Sequence, residues 1–147
     1  MKVSISNRQR KVKLNRRQIE RDALKALDLM GFEGAELSLL FVNGERMRSL
    51  NKEYRRVDAD TDVLSFPLFD SYKQFPPAEE FLMGDIVINP QRAGEQAKEA
   101  GHSLRKELRV LLAHGLVHLM GMDHEKGGYE GKKMRLMEKR LLSGLEG

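Results

Sequence analysis

Three of the chain's four histidines fall within eleven residues, HGLVHLMGMDH, which sets His114, His118 and His124 at relative positions 0, +4 and +10. Residues four apart lie one above the other on an α-helix, so His114 and His118 direct both imidazoles at one point. Gly121 supplies the stop signal, because glycine adopts φ > 0 at a helix C-terminus. A short turn after it swings His124 back towards the first two. Three imidazoles meeting at one point make a catalytic rather than a structural zinc site, with three protein ligands and a fourth position left for water. Two histidines at i, i+4 are by themselves often plain helix surface or core. A third after a glycine break, in the zincin-type spacing HxxxHxxGxxH, weighs against that reading. The peptidase version of the pattern carries Glu directly after its first His as general base. Gly115 stands there instead, so a metallopeptidase has the ligand spacing without the base.

The helix that positions these residues starts at Leu104. Leu104, Leu108, Leu111, Leu112 and Leu119 share one side, and Arg105, Lys106 and Arg109 lie opposite them in the first half only. From Val110 onwards nearly every position except the histidines is apolar or glycine, which predicts a second half buried all round. Unpaired polar groups in a core cost roughly 1–3 kcal/mol each, and metal ligation gives two buried-helix histidines a reason to be there. Gly115 removes a side chain where a ligand or another backbone approaches.

Around this helix the chain reads as alternating strands and helices. Lys2–Ser6 alternates as a short first strand. Asn15 is an N-cap with Gln18 as its capping-box partner, and the helix that follows carries Ile19, Ala23, Leu24, Leu27 and Met30 before Gly31 ends it. Glu36–Val42 is a strand whose nearly continuous apolar run predicts a central place in the sheet. Asn43-Gly44 is a turn signal, after which Met47, Leu50 and Tyr54 mark a short helix up to Arg55. A strand within Asp60–Pro67, a long surface loop over Leu68–Leu82 and a fourth strand at Gly84–Asn89 come next. Pro90 opens a helix with Ala93, Ala97 and Ala100 on one face, and Gly101 closes it. Gly127-Gly128 breaks the chain before a C-terminal helix striped by Met134, Met137, Leu141 and Leu142.

Length and composition bound the rest. The 147 residues suit one domain, 1–147, with a real core. There is no cysteine, so any zinc must use His and carboxylate, and the absence suits a reducing cytoplasm. No eighteen-residue apolar run and no signal-peptide pattern occur, which points away from a membrane and towards a cytoplasmic enzyme. The net charge of +4 is unevenly placed. Lys2, Arg8, Arg10, Lys11, Lys13, Arg16, Arg17, Arg21 and Lys25 face only Glu20 and Asp22 in the first 25 residues, an electrostatic footprint for a polyanion or simply a solvated face. No helix is both basic and placed for a DNA groove.

HGLVHLMGMDH resembles the HGxLHLxGxDH signature of the bacterial YbeY family of metal-dependent, single-strand-specific endoribonucleases. NKEYRRVDADTDVLSFP (Asn51–Pro67) and MGDIVINPQRA (Met83–Ala93) resemble two further segments of that family. Met122 stands where the family usually has Tyr, a departure that leaves the three ligands intact. The resemblance implies an α+β fold: one small mixed sheet of about four strands, packed with about five helices that include the zincin-like metal-site helix. It implies one Zn2+ per chain on His114, His118 and His124, and Arg55 as a required arginine beside the metal cleft, with strand Asp62–Phe66 as a wall. The implied activity is cleavage of single-stranded RNA in 16S rRNA 3′-end maturation and ribosome quality control. The implied partners are ribosomal RNA, the small ribosomal subunit and assembly factors. A guanidinium contacting two phosphate oxygens suits Arg55 to charge developing in phosphodiester cleavage. A surface ion pair with Asp58 or Glu53 is the plain alternative for it. Asp123 reads best as an orienter of a ligating His, and also as a general base or a turn residue. Phosphates would be held by Arg55, Arg56 and the N-terminal bases, with Tyr54, Phe66 and Tyr72 as aromatics for base stacking. A ribosome-assembly factor with a structural, closed zinc site is the non-enzymatic alternative.

Overall fold

Among the described residues, four of the five α-helices start on the same local bond. The side-chain oxygens of Asn15, Asn43, Asn89 and Ser103 accept from the backbone N–H of Gln18, Arg46, Arg92 and Lys106, three residues on. Each satisfies an amide that the helix leaves without a partner. These caps open α1 (Arg16–Met30), α2 (Gly44–Arg55), α3 (Pro90–Ala100) and α4 (Leu104–Leu119). The fifth helix, α5, spans Gly128–Glu146. The computed structural model describes residues 1–121 and 128–147. Asn43-Gly44, expected as a turn ahead of a helix near Met47, is instead the cap and first residue of α2. The asparagine oxygen takes the Arg46 amide at 2.8 Å, and the helix begins three residues earlier.

The strands are β1 (Lys2–Asn7), β2 (Ala35–Phe41), β3 (Val63–Pro67) and β4 (Phe81–Ile88), in the sheet order β1-β2-β4-β3. β1 and β4 lie parallel to β2, and β3 runs antiparallel to β4. The chain is thus one α+β domain on a mixed four-stranded sheet, and β2 is central as its sequence predicts. Leu37, Leu39 and Phe41 of β2 and Met83, Ile86 and Ile88 of β4 share the main core with residues of α1, α4 and α5. On the other face Val42, Met47, Leu50, Leu64 and Val87 form a second cluster, to which α2 contributes Met47 and Leu50.

The expectation of a surface loop over Leu68–Leu82 is corrected in two ways. β4 starts at Phe81, ahead of Gly84, where its register against β2 shifts. The remainder is fastened to the core by Phe75, whose ring centroid lies 5.3 Å from Phe69 and 4.7 Å from Phe81. Three phenylalanines six residues apart match neither a helical nor a strand period, so Pro76-Pro77 and the polar residues hid the anchor.

Arg105 and Arg109 do not lie on an open face of α4. Both close as forks on Asp22 of α1, with Nε and Nη2 at 3.3 and 3.2 Å for Arg105 and 3.1 and 3.3 Å for Arg109. Asp22 is buried in phase with Ile19, Ala23 and Ala26. Burial alone would raise its pKa, but the hydrogen bonds and charges of Arg105 and Arg109 outweigh it and hold the carboxyl below the usual range. Among the described residues no helix is long and apolar enough to cross a membrane.

Because the folded pKa of Asp22 is depressed below its unfolded value of about 3.9, its stabilisation is present above that pH. It is lost as pH falls through the folded value. Asp22→Asn therefore loses about 2 kcal/mol at pH 7 in urea unfolding, and the gap to wild type narrows as pH falls through the folded value. An equal gap at both pH values would show that the carboxylate charge contributes nothing to the α1–α4 junction.

Candidate active site

The second half of α4 is buried as predicted: Leu111, Leu112, Ala113, Gly115, Leu116, Val117 and Leu119 are all inside. His114 and His118 are half-buried on the remaining stripe. Their spacing brings the rings together, with centroids 4.5 Å apart and planes inclined at 68°. The two Nε2 atoms lie 3.0 Å from one another. Two nitrogens bound to one tetrahedral zinc at about 2.0–2.1 Å stand ~3.3 Å apart, so this pair fits two positions on a single ion. Imidazole nitrogens also suit the chemistry of zinc and its neighbours. The third expected ligand, His124, lies outside the described residues, as do Met122 and Asp123. Among the described residues no group of three metal-capable side chains comes together.

The end of α4 is fixed by its glycine and by the loop that docks there. Gly121 has φ +85° and donates its N–H to the His118 carbonyl at 2.9 Å. A Cβ at Gly121 would stand 2.2 Å from the Asp70 carbonyl oxygen, so close approach and backbone conformation both demand glycine. Tyr72 N–H donates to the Met120 carbonyl at 3.0 Å, tying the Phe-anchored loop to the helix end. Gly115 also serves close approach, but the neighbour is neither ligand nor backbone. It is the side chain of Ile86 on β4, whose Cδ1 lies 2.8 Å from where a Cβ would be.

Arg55 stands on different elements from the histidines. Its Nη2 donates to the Ser65 carbonyl of β3 at 2.9 Å, and its guanidinium carbon sits 6.0 Å from the Phe66 ring centroid. The ion pair with Asp58 considered for it is taken by Arg48, at 2.7 Å. Those charges hold the Asp58 carboxyl below its usual range, through the Arg48 hydrogen bond first. α4 packs along β3 and β4, so Arg55 and the histidine pair address the same edge of the sheet without an observed contact. Of the N-terminal bases, Lys2 lies on β1, the opposite edge of the sheet from β3, while Arg16, Arg17, Arg21 and Lys25 lie on α1. Tyr54 is exposed and meets Phe66 edge-on at 5.2 Å, while Tyr72 is half-buried beside Phe32.

One polar residue at the site was not singled out from the sequence. Glu138 of α5 places Oε1 2.8 Å from His114 Nδ1. The signal was available: Met134, Glu138, Leu141 and Leu145 fall in phase on one helical stripe, and the three apolar members are buried. An acid inside an apolar stripe marks a polar partner across the interface.

The family profile described as Endoribonuclease YbeY matches residues 4–146. The chain is similar to the Endoribonuclease YbeY of Aquifex aeolicus, 42% identical over 139 residues, covering 91% of this chain and 89% of that protein. It is likewise 41% identical to the protein of the same name from Alkaliphilus metalliredigens, with 95% and 92% covered. The Pelotomaculum thermopropionicum relative is 42% identical, with 99% and 97% covered. Among solved structures, a solution structure from Thermotoga maritima superposes with TM-score 0.66 at 26% identity, covering 97% of this chain and 88% of that one.

Gly115→Ala drives a methyl into Ile86, a branched side chain with no exposure. Overpacking of this kind costs roughly 1–3 kcal/mol, against about 1 kcal/mol regained from helix propensity. A lower melting temperature is expected for Gly115→Ala, with partial recovery when Ile86→Val removes the nearest carbon. Thermal unfolding of the single and double variants checks this, and failure of Ile86→Val to recover any stability would displace Ile86 as the source of the strain.

Proposed function

The chain belongs to the YbeY endoribonuclease family, and on that premise we propose that it cuts single-stranded RNA at a metal centre held by His114, His118 and His124. It is an RNA-cleaving hydrolase of ribosomal RNA processing. The observation that carries the metal reading is the His114–His118 pair, with Nε2 atoms 3.0 Å apart on the buried second half of α4. The absence of cysteine leaves imidazole as the natural ligand type, and one zinc ion per chain is the reading this donor set supports. A divalent ion held there polarises a phosphoryl oxygen and lowers the pKa of water.

The protein's own groups supply position and charge. Ser65 O and the Phe66 ring hold the Arg55 guanidinium at the edge strand, where it is placed to offset charge growing on the non-bridging phosphate oxygens. β3 serves as a wall of the cleft. Exposed Tyr54 against Phe66 offers a surface on which a splayed base stacks. The resulting contacts are to phosphate, base face and chain rather than to base edges, so sequence selectivity comes from presentation of the RNA. We assign the work to 16S rRNA 3′-end maturation and ribosome quality control in the cytoplasm, with the small ribosomal subunit and assembly factors as partners.

Chelation of the purified protein is expected to abolish cleavage of a fluorescent single-stranded RNA, and added Zn2+ to restore it, with no action on casein. His118→Ala retains the fold and loses both zinc and cleavage. Cleavage that persists in metal-depleted protein or in His118→Ala would remove the metal from the reaction, and zinc-loaded protein that cleaves no RNA would leave an assembly factor with a structural site. Arg55→Ala keeps zinc content and melting temperature while kcat falls about 10²–10³-fold, the range for loss of one charge-stabilising donor. Unchanged kcat in that variant takes Arg55 out of the chemistry.

A further inference from the structure

Glu138 is the charged member of a buried helical stripe, four residues after Met134 and three before Leu141, both at or below 2% exposure. Glu138 keeps 23% of its side-chain surface exposed, and the rest of its carboxylate needs donors. One donor is His114, whose Nδ1 lies 2.8 Å from Glu138 Oε1. A carboxylate has only acceptor sites, so the hydrogen at this contact sits on Nδ1. Nε2 of His114 then keeps its lone pair, and that nitrogen is the one 3.0 Å from His118 Nε2.

We propose that Glu138 is a positioning residue for the metal centre, selecting the tautomer and ring orientation of His114 that present its Nε2 lone pair to a divalent ion. The inference rests on the metal reading given above and deepens it. A ring held through Nδ1 from the neighbouring helix loses its freedom to flip or rotate about χ2. The carboxylate also raises the basicity of the opposite nitrogen. A purely structural tie between α4 and α5 would need the same contact but would leave the tautomer and the metal affinity unmoved by its loss.

The test uses Glu138→Ala and the isosteric Glu138→Gln, read in three ways beside the melting temperature. In metal-free protein, imidazole ¹⁵N shifts report which nitrogen of His114 carries hydrogen. Competition with a chromophoric chelator gives the Zn2+ affinity, and Co2+ substitution gives the ligand-field absorption. Wild type is expected to show His114 as the Nδ1–H tautomer. Glu138→Ala is expected to show a mixture with Nε2–H, zinc binding weakened about 10–100-fold, and an altered Co2+ band. Glu138→Gln, which keeps an acceptor oxygen without the charge, falls between the two. Should the alanine variant fail to fold, the glutamine variant carries the comparison by the same three readings. Wild-type tautomer, affinity and Co2+ spectrum in either folded variant overturn the proposal and leave Glu138 a helix–helix tie. Wild-type protein that takes up no zinc, or takes it up equally in His118→Ala, overturns the metal reading and this inference together.

Discussion

Everything at the site depends on how closely α4 lies against β4. Gly115 omits the one side chain that would stand between the helix and Ile86, and the helix settles onto the sheet at that point. The histidines therefore inherit their backbone position from the packing of the whole helix, and His114 adds a contact of its own to Glu138. Both ends are pinned. At the start, Ser103 caps the helix and Asp22 clamps Arg105 and Arg109. At the finish, Gly121 turns the chain and the Tyr72–Met120 hydrogen bond fastens the loop beneath it. A rod held at both ends and in its middle cannot change the separation of two imidazoles by bending, which is what a preorganised ligand pair requires.

The two faces of the sheet divide the remaining work. The face that carries α4 also carries α1 and α5, and so gathers the histidines, Asp22 and Glu138 around one core. The face that carries α2 is smaller, with five buried residues in its cluster. From the end of that helix, Arg55 reaches the carbonyl of an edge strand, the one part of the sheet reachable from either side. Edge strands expose unpaired backbone groups, and here one of those groups is used to hold a guanidinium. Arg55 and the histidine pair thus come from opposite layers of the sheet, and both layers reach β3.

What was legible in the sequence was local. The caps at Asn15 and Gly101, the histidine spacing, the buried second half of α4 and the stop at Gly121 each depend on residues within one or two turns. What was not legible depends on partners far along the chain. Asp22 finds arginines 83 and 87 residues away, and Glu138 finds a histidine 24 residues away. Arg105 and Arg109 read only as the side of the helix opposite its leucines, because no acid near them in the sequence announces the partner on α1. The phenylalanines at 69, 75 and 81 belong to no period, since a loop that folds back on itself has none. Sheet order was out of reach for the same reason: β3 returns antiparallel to a strand that follows it, a choice made by register and loop packing.

The packing at position 115 also decides between two chemistries that share a ligand spacing. In the peptidase pattern the residue after the first histidine must be a carboxylate able to reach water. In this fold that direction points at Ile86, in the main core between helix and sheet. A carboxylate there would lose its hydration with no donor to replace it, at a cost of several kcal/mol, and would still face away from the ligands. The missing acid is therefore a consequence of how α4 is seated and not a gap that another residue at 115 would fill. Any proton acceptor for hydrolysis has to come from elsewhere: from the substrate, from another side chain such as Asp123, or from water itself. RNA offers a route that a peptide does not, because its 2′-hydroxyl is an internal nucleophile beside the phosphate, though that hydroxyl too must give up its proton. A peptide depends on an attacking water, and position 115 supplies no base for it.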